Sequence, residues 1–192
     1  MSREKILAAV LNNQPEKLEL PDDLKFNSPQ RDELIDGFVN VLTLIGGKVI
    51  RIKCNEEMDK YISDHYKPTD RIISTIPDSA YYTDFSESDD PHQFKDIELA
   101  ILKPHFAIAE NGAVWITEDR MVNRVVPFIC QHLAMLLETQ NILADMHEAY
   151  EKIDLMNYDF GTFIAGPSKT ADIEQSLVIG AHGARSMTIF LL

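Results

Sequence analysis

Cysteine is scarce in this chain, which has Cys54 and Cys130 as its only thiols in 192 residues. The two lie far apart in the sequence, and neither belongs to a CxxC pair. Two thiols cannot supply the four cysteine ligands of an iron–sulfur cluster or of a Cys-based zinc site. They also do not form the disulfide framework of a small secreted domain, so we expect a reducing, cytoplasmic location.

Basic side chains are also few, with 18 Lys and Arg against 31 Asp and Glu and a formal net charge of −13. Binding of nucleic acid requires a basic face that neutralises phosphates, so this class of partner is disfavoured. Docking on an anionic membrane surface is disfavoured for the same reason. No apolar run approaches the roughly 18 residues of a spanning helix, so we expect no membrane insertion.

The N-terminal part is predicted to be separate from the rest of the chain. Residues 1–27 are interpreted as an N-terminal helix, over 2–12, followed by an arm, and residues 28–192 as one α/β domain. Ser28 is the predicted N-cap, with Pro29 at the first helical position. Apolar residues at helical spacing then continue to Ile45, where Gly46 and Gly47 end the helix and a strand over 48–53 begins.

Further along, helical and extended patterns alternate. We predict helices over 55–66, 140–153 and 171–179, strands over 71–76, 98–102, 113–117, 127–137, 160–165 and 187–192, and an exposed loop over 77–91. This alternation indicates a mostly parallel sheet covered by helices on both faces. Such sheets bind ligands beyond the carboxyl ends of their strands, which directs attention to the loops after Thr75, Leu102 and Ala165.

The densest motif runs from Gly166 through Pro-Ser-Lys-Thr-Ala-Asp-Ile to Glu174. Between a predicted strand and a predicted helix, free backbone N–H groups and the helix dipole would form an anion site. Gly166 permits the turn, and the candidate ligand-binding side chains are Ser168, Lys169, Thr170, Asp172 and Glu174. The alternative is that Thr170 only caps the helix and Asp172 only complements its dipole.

A second candidate is the turn Glu110-Asn111-Gly112 between two predicted strands. A glutamate on a tight turn can be presented as a nucleophile or general base, with neighbouring backbone amides as an oxyanion cradle. Alternatively, Asn111 and Gly112 only supply the positive φ angles of a turn beside a solvated Glu110.

The six histidines form no convincing metal set. His182, with Gly183 in a glycine-flanked loop after the predicted helix, is the one histidine that remains a candidate ligand-binding residue. No metal or cofactor is expected to be bound by this chain.

These motifs together resemble a known family. The stretch 166–174, followed by Gly180-Ala-His-Gly-Ala-Arg185, is similar to the closing signature of the LUD-domain proteins of the lactate utilization protein C (YkgG-like) family. The stretch 107–112 is similar to that family's internal Ala-Glu-Thr-Gly-Thr segment. Asn111 and Ala113 replace the usual threonines and Ala184 the usual proline, so the role of those threonine hydroxyls does not carry over.

The resemblance implies a three-layer α/β/α fold related to sugar-phosphate isomerases and CoA transferases. It also implies oxidation of L-lactate to pyruvate beside iron–sulfur or cysteine-rich partner proteins, with this chain as a non-redox subunit that binds a small anionic ligand or a partner. A shorter similarity, of residues 109–114 to the Ser-Glu-Asn-Gly signature of some CoA transferases, supports an alternative: a free-standing enzyme with Glu110 as nucleophile, or a phosphate-ligand binder. Self-association into a homo-oligomer is left open.

Overall fold

The computed structural model describes residues 2–15, 29–83, 90–171, 177–180 and 182–192. In these ranges the chain forms five α-helices: α1 Arg3–Asn12, α2 Arg31–Leu44, α3 Asn55–His65, α4 Val126–Ile129 and α5 Met146–Asp154. The strands are β1 Lys48–Arg51, β2 Ile72–Ser74, β3 Leu99–Leu102, β4 Phe106–Ile108, β5 Val114–Thr117, β6 His132–Leu137, β7 Ile142–Leu143, β8 Gly161–Ile164, β9 Lys169–Ala171, β10 Leu177–Ile179 and β11 Ser186–Leu191.

A five-stranded, entirely parallel sheet forms the centre of the fold, in the order β1-β11-β6-β3-β2. The inner strands β3, β6 and β11 are largely apolar and buried on both faces, as is typical of parallel sheets covered on both sides, whereas the edge strand β1 is partly exposed. In β6 the alternate residues Leu133, Met135 and Leu137 face one core cluster, and Ala134 and Leu136 face the other. The prediction of a mostly parallel sheet is confirmed.

The two faces of this sheet are covered by different elements. Met58 and Ile62 of α3 are fully buried in the cluster on one face. Phe38 and Leu42 of α2 are equally buried in the cluster on the other face, together with residues of a second sheet. Helices therefore lie on both sides of the parallel sheet, and the layers are α/β/α.

The second sheet has the order β7-β4-β5-β8, with β5 antiparallel to both of its neighbours. One face, with Ala107, Val114 and Ile116, belongs to the same core cluster as α2. The other face, with Phe106 and Trp115, packs with Ala149 and Ile153 of α5 in a third cluster. Strand β4 was not predicted. It follows β3 after a short connection and belongs to the second sheet, where β5 pairs with it.

The N-terminal helix α1 has the predicted position and buries none of its residues. Helix α2 begins later than predicted, because its N-cap is Gln30 and not Ser28. The Gln30 side chain accepts the N–H of Glu33, and the Glu33 carboxylate accepts the Gln30 N–H at 3.1 Å, which forms a capping box. Ser28 and most of the predicted arm lie outside the described residues.

Two predicted elements are divided differently in the structure. The stretch 127–137, predicted as strand, starts in α4 and only then enters β6. The helix predicted over 140–153 begins at Met146, because Asp145 is its N-cap and accepts the N–H groups of His147 and Glu148 at 2.9 and 3.0 Å. Residues 142–143, before this cap, are the short strand β7.

The helix predicted over 171–179 is wrong. The structure has an antiparallel hairpin of β9 and β10, in which Lys169 pairs with Ile179 and Ala171 with Leu177. Thr170, Val178 and Ile179 are β-branched, and such residues favour extended backbone. Residues 172–176 lie outside the described part of the chain. In the described ranges, no helix is long and apolar enough to cross a membrane.

Candidate functional site

The Glu110–Gly112 turn joins β4 to β5. Asn111 Oδ1 accepts the N–H of Ala113 at 3.0 Å, and the Gly112 N–H donates to the Ile108 carbonyl at 3.0 Å. Gly112 has φ of +70°, which glycine adopts without strain. Gly112 therefore supplies the positive φ that the alternative reading expected, whereas Asn111 has no positive φ and holds the turn through its side chain.

Glu110 is exposed, and its carboxylate has a structural contact. Oε2 accepts the N–H of Met146, the first residue of α5, at 3.1 Å. A carboxylate at this position satisfies a free backbone donor and complements the helix dipole. In the described residues, Oε1 has no hydrogen-bond partner, so one carboxylate oxygen stays available to a ligand.

The Gly166 loop lies beside this turn. In the antiparallel pair, Val114 is opposite Ile164, and continuing this register by two residues places Gly112 opposite Gly166. A Cβ built on Gly166, where φ is +73°, would lie 3.1 Å from the Ile45 carbonyl oxygen. A Cβ built on Gly112 would lie 3.2 Å from Ile45 Cδ1. The two sequence motifs therefore meet at the C-terminal end of α2.

The signature loops also contact each other. Ser168 donates its N–H to the Ala184 carbonyl at 2.9 Å and accepts the Gly180 N–H at 3.1 Å. A Cβ on Gly183 would lie 3.0 Å from Ser168 Cβ, so only glycine allows this approach without displacement. His182 is exposed at the same place. The structure thus brings Ser168 and Gly183 of the closing signature into contact.

The electrostatic basis of the predicted anion site is different from the expected one. Residues 169–171 and 177–179 are strands, so the described residues offer Thr170 no helix to cap and Lys169 no helix N-terminus beside it. The loop instead faces the C-terminal end of α2, which carries partial negative charge. Lys169 lies at this end, with its Cε 3.8 Å from a Cβ built on Gly46, and it complements that charge. Asp172 and Glu174 lie outside the described residues.

A second polar group, which was not predicted from the sequence, lies at the N-terminal end of the parallel strands. Ser186 and His132 are paired in register on β11 and β6, and Glu98 directly precedes β3. Ser186 Oγ and His132 Nδ1 share a hydrogen bond of 2.7 Å, and His132 Nε2 is 3.6 Å from Glu98 Oε1. A signal was present in the sequence: each is a polar residue at or just before the start of an apolar strand, and the first residues of parallel strands meet at the same end of the sheet.

The thiols differ in their surroundings. Cys54 is exposed, whereas Cys130 is buried, and this burial raises the pKa of its thiol to about 12. In the part of the chain that the structure describes, no group of three or more His, Cys, Asp or Glu side chains is placed to hold a metal ion.

Comparisons with known proteins agree with the signature. The sequence profile of the LUD domain matches residues 47–192. Among curated proteins, the chain is 32% identical over 92 residues to lactate utilization protein C of Geobacillus sp. (strain WCH70), covering 44% of this chain and 38% of that protein. It is 28% identical over 102 residues to the uncharacterized protein NMB1437 of Neisseria meningitidis serogroup B, covering 52% and 44%.

A solved structure has the same fold: a DUF162 family protein from Deinococcus radiodurans, with a TM-score of 0.59 and 14% identity over 85% of this chain and 98% of that chain. The alignments span less than half the length of the curated relatives. The profile, by contrast, covers most of the chain, including the parallel sheet and both signature loops. The chain therefore belongs to the LUD domain family and is similar to lactate utilization protein C.

Proposed function

We propose that this chain takes part in the utilization of L-lactate, as a subunit that binds a small anionic ligand or a partner protein and does not itself carry electrons. The similarity to proteins named lactate utilization protein C is the observation that carries this proposal. The composition supports the second half, because two thiols cannot ligate a cysteine-bound iron–sulfur cluster. The clusters needed to accept electrons from lactate would then belong to partner proteins.

The binding surface in this proposal is formed by the Glu110 turn and the Gly166–Ser168 loop. These segments lie opposite each other and pack on the same end of α2. Backbone hydrogen bonds hold both of them, so the surface is preorganised. Lys169 is the cation closest to it in sequence, and removing its charge tests whether an anion binds there.

Growth of the host organism on L-lactate tests the role in lactate utilization. Deletion of the gene should abolish growth on L-lactate and leave growth on pyruvate unchanged, and the intact gene should restore it. Unimpaired growth of the deletion strain on L-lactate would contradict the proposal. In the same strain, the Lys169→Ala variant should restore growth poorly, with Lys53→Ala as the matched control on an exposed lysine elsewhere.

Isolation of the tagged chain from lactate-grown cells tests the proposed partners. We expect it to bring down protein that contains iron and acid-labile sulfide in stoichiometric amount. Purification of the chain without any iron–sulfur protein, from cells that need it for growth on lactate, would contradict a role beside redox partners.

The free Oε1 of Glu110 supports a second candidate, an acyl-CoA:carboxylate transferase. In this reaction the carboxylate attacks the acyl-CoA carbonyl and releases the CoA thiolate. The thiolate then attacks the resulting anhydride and releases the acid, which leaves a glutamyl–CoA thioester. Incubation with acyl-CoA should add the mass of CoA less one water to wild type but not to Glu110→Gln. Absence of an adduct with short-chain and long-chain acyl-CoA alike would rule this function out.

A further inference from the structure

A cleft of ≈ 600 Å³ opens at the amino edge of the parallel sheet, on the face that α3 covers. It is lined by the first residues of β1 and β11, the end of α3 and the segment after it, including Gly46, Lys48, Tyr61, Tyr66, Lys67 and Ser186. A second cleft of ≈ 340 Å³ shares Tyr66, Lys67 and Asp70 with it. The volume of the first cleft is within the range of small-molecule sites in proteins.

The floor of the cleft is polar and held in place. His132 is fixed by its 2.7 Å hydrogen bond with Ser186 and by Glu98 at 3.6 Å. The Tyr66 ring packs edge-on against the His132 ring, with 5.9 Å between centroids. Burial raises the pKa of Tyr66 to about 12, so its hydroxyl stays neutral at physiological pH. Hydroxyl and imidazole groups are thus presented on a rigid sheet edge.

Cations gather at this edge although the chain as a whole is strongly acidic. Lys48 and Lys67 line the cleft, Lys169 lies against Gly46, and Arg185 directly precedes Ser186. None of the four is in an ion pair within the described residues, where the paired cations are others. Lys48 donates to the Tyr61 hydroxyl at 2.7 Å and keeps two further N–H donors.

Negative charges also lie at this edge, and their sum is smaller than that of the four cations. The ends of α2 and α3 both point to this edge, and each helix C-terminus is equivalent to roughly half a negative charge. The carboxylates of the cleft are Asp70 and Glu98; Asp70 accepts the backbone N–H of Lys67 at 2.8 Å, and Glu98 faces His132. Within the lining, Lys48 and Lys67 balance Asp70 and Glu98. Lys169 and Arg185, which lie beside the lining, offset the two helix ends and leave roughly one net positive charge at this edge, which favours an anion.

We propose that this cleft binds an organic phosphate with an aromatic body, of the size of a nucleotide. The phosphate would contact Lys48 and Lys67, the Tyr61 and Tyr66 rings would line the aromatic body, and Ser186 would hydrogen-bond its polar groups. The cleft does not include the Glu110 turn, although Lys169 lies beside both the cleft and the Gly166–Ser168 loop. The inference does not depend on a role in lactate utilization.

Calorimetric titration of the full chain with ADP tests this site, with adenosine and inorganic phosphate as probes that lack one half of the ligand. We expect saturable binding of ADP and at least tenfold weaker binding of either half, since both the charged contacts and the ring contacts contribute. Absence of saturable ADP binding overturns the proposal. If inorganic phosphate binds as tightly as ADP, the proposed contacts of the Tyr61 and Tyr66 rings with the ligand are wrong.

Variants locate the bound ligand. Lys48→Met keeps the aliphatic stem and removes the charge, and it should weaken ADP binding about tenfold, the effect of losing one hydrogen bond to a charged group. Lys53→Met is the matched control, because Lys53 is exposed just beyond the opposite end of β1. Ser186→Ala should also weaken binding, to a smaller extent. Equal affinities for Lys48→Met and Lys53→Met would show that ADP binds elsewhere.

Discussion

Replacement of Gly112 by alanine tests how tightly the Glu110 turn is seated on α2. Gly112 has a positive φ, in the left-handed region that costs a residue with a side chain roughly 1–2 kcal/mol. The added Cβ would also lie 3.2 Å from both the backbone nitrogen and the Cα of Leu42, inside helix α2. A helix backbone cannot move away as a flexible side chain can.

The expected loss of stability for Gly112→Ala is about 2–4 kcal/mol, from the backbone conformation and the overpacking together. Urea unfolding of the purified chain measures it. With an m-value of about 2 kcal/mol/M, the midpoint should fall by about 1–2 M while m stays the same. Gly166→Ala should behave similarly, because its φ is +73° and its Cβ would lie 3.1 Å from the Ile45 carbonyl oxygen.

Gly37→Ala is the matched control in the same helix. A Cβ there would meet only the Ala109 Cβ, at 3.9 Å, which is an ordinary van der Waals contact. Alanine in a helix interior is favoured over glycine by about 0.5–1 kcal/mol, so this variant should be slightly more stable than wild type. If Gly112→Ala were as stable as Gly37→Ala, the turn would not be seated on α2 as described.

Four further outcomes are expected. Glu110→Ala should lower the free energy of unfolding by about 1 kcal/mol in thermal denaturation, because the Met146 N–H loses its acceptor, whereas Glu110→Gln keeps an oxygen and should lower it less. Iodoacetamide should modify Cys54 alone in the native chain and both thiols in urea, since Cys130 is 1% exposed and its raised pKa suppresses the thiolate. The Cys54 rate should still be rising above pH 9, because the hydrogen bond to Glu56 raises the pKa of its thiol, and a plateau below that pH would contradict this. Deleting residues 2–15 should change the free energy of unfolding by less than about 0.5 kcal/mol, as α1 buries no residue, and a larger loss would show that α1 docks on the domain.

Elements with strong periodicity could be predicted from the sequence. Helix α3 has its predicted extent to within one residue. The alternation of helical and extended patterns along the chain predicted the parallel sheet. The hairpin of β9 and β10 could not be distinguished from a helix by its sequence. Its three-residue strands are too short to show either the two-residue periodicity of a strand or the 3.6-residue periodicity of a helix. Strand β4 was missed for the same reason, and with it the second sheet.

For the candidate site, local motifs were informative and long-range placement was not. The motifs identified the family, and they included the two glycines that lie opposite each other, Gly112 and Gly166. The prediction of a helix N-terminus beside Lys169 was wrong, because the helix predicted over 171–179 was itself wrong. The cleft around His132 depends on which strands are neighbours, and strand order is set by tertiary packing that no single stretch of sequence encodes.

The position of β11 inside the parallel sheet has a consequence for how the chain folds. Among the strands that the structure describes, β1 pairs with β11 alone, so the backbone of Lys48 gains its strand partner only when Thr188 has been synthesised. During synthesis, β1 and one edge of β6 would remain open until nearly all of the described domain has emerged from the ribosome. Contacts this distant in sequence slow folding, and open apolar edges invite aggregation. Folding yield should therefore respond to chaperones and to synthesis temperature more than the stability of the finished fold suggests.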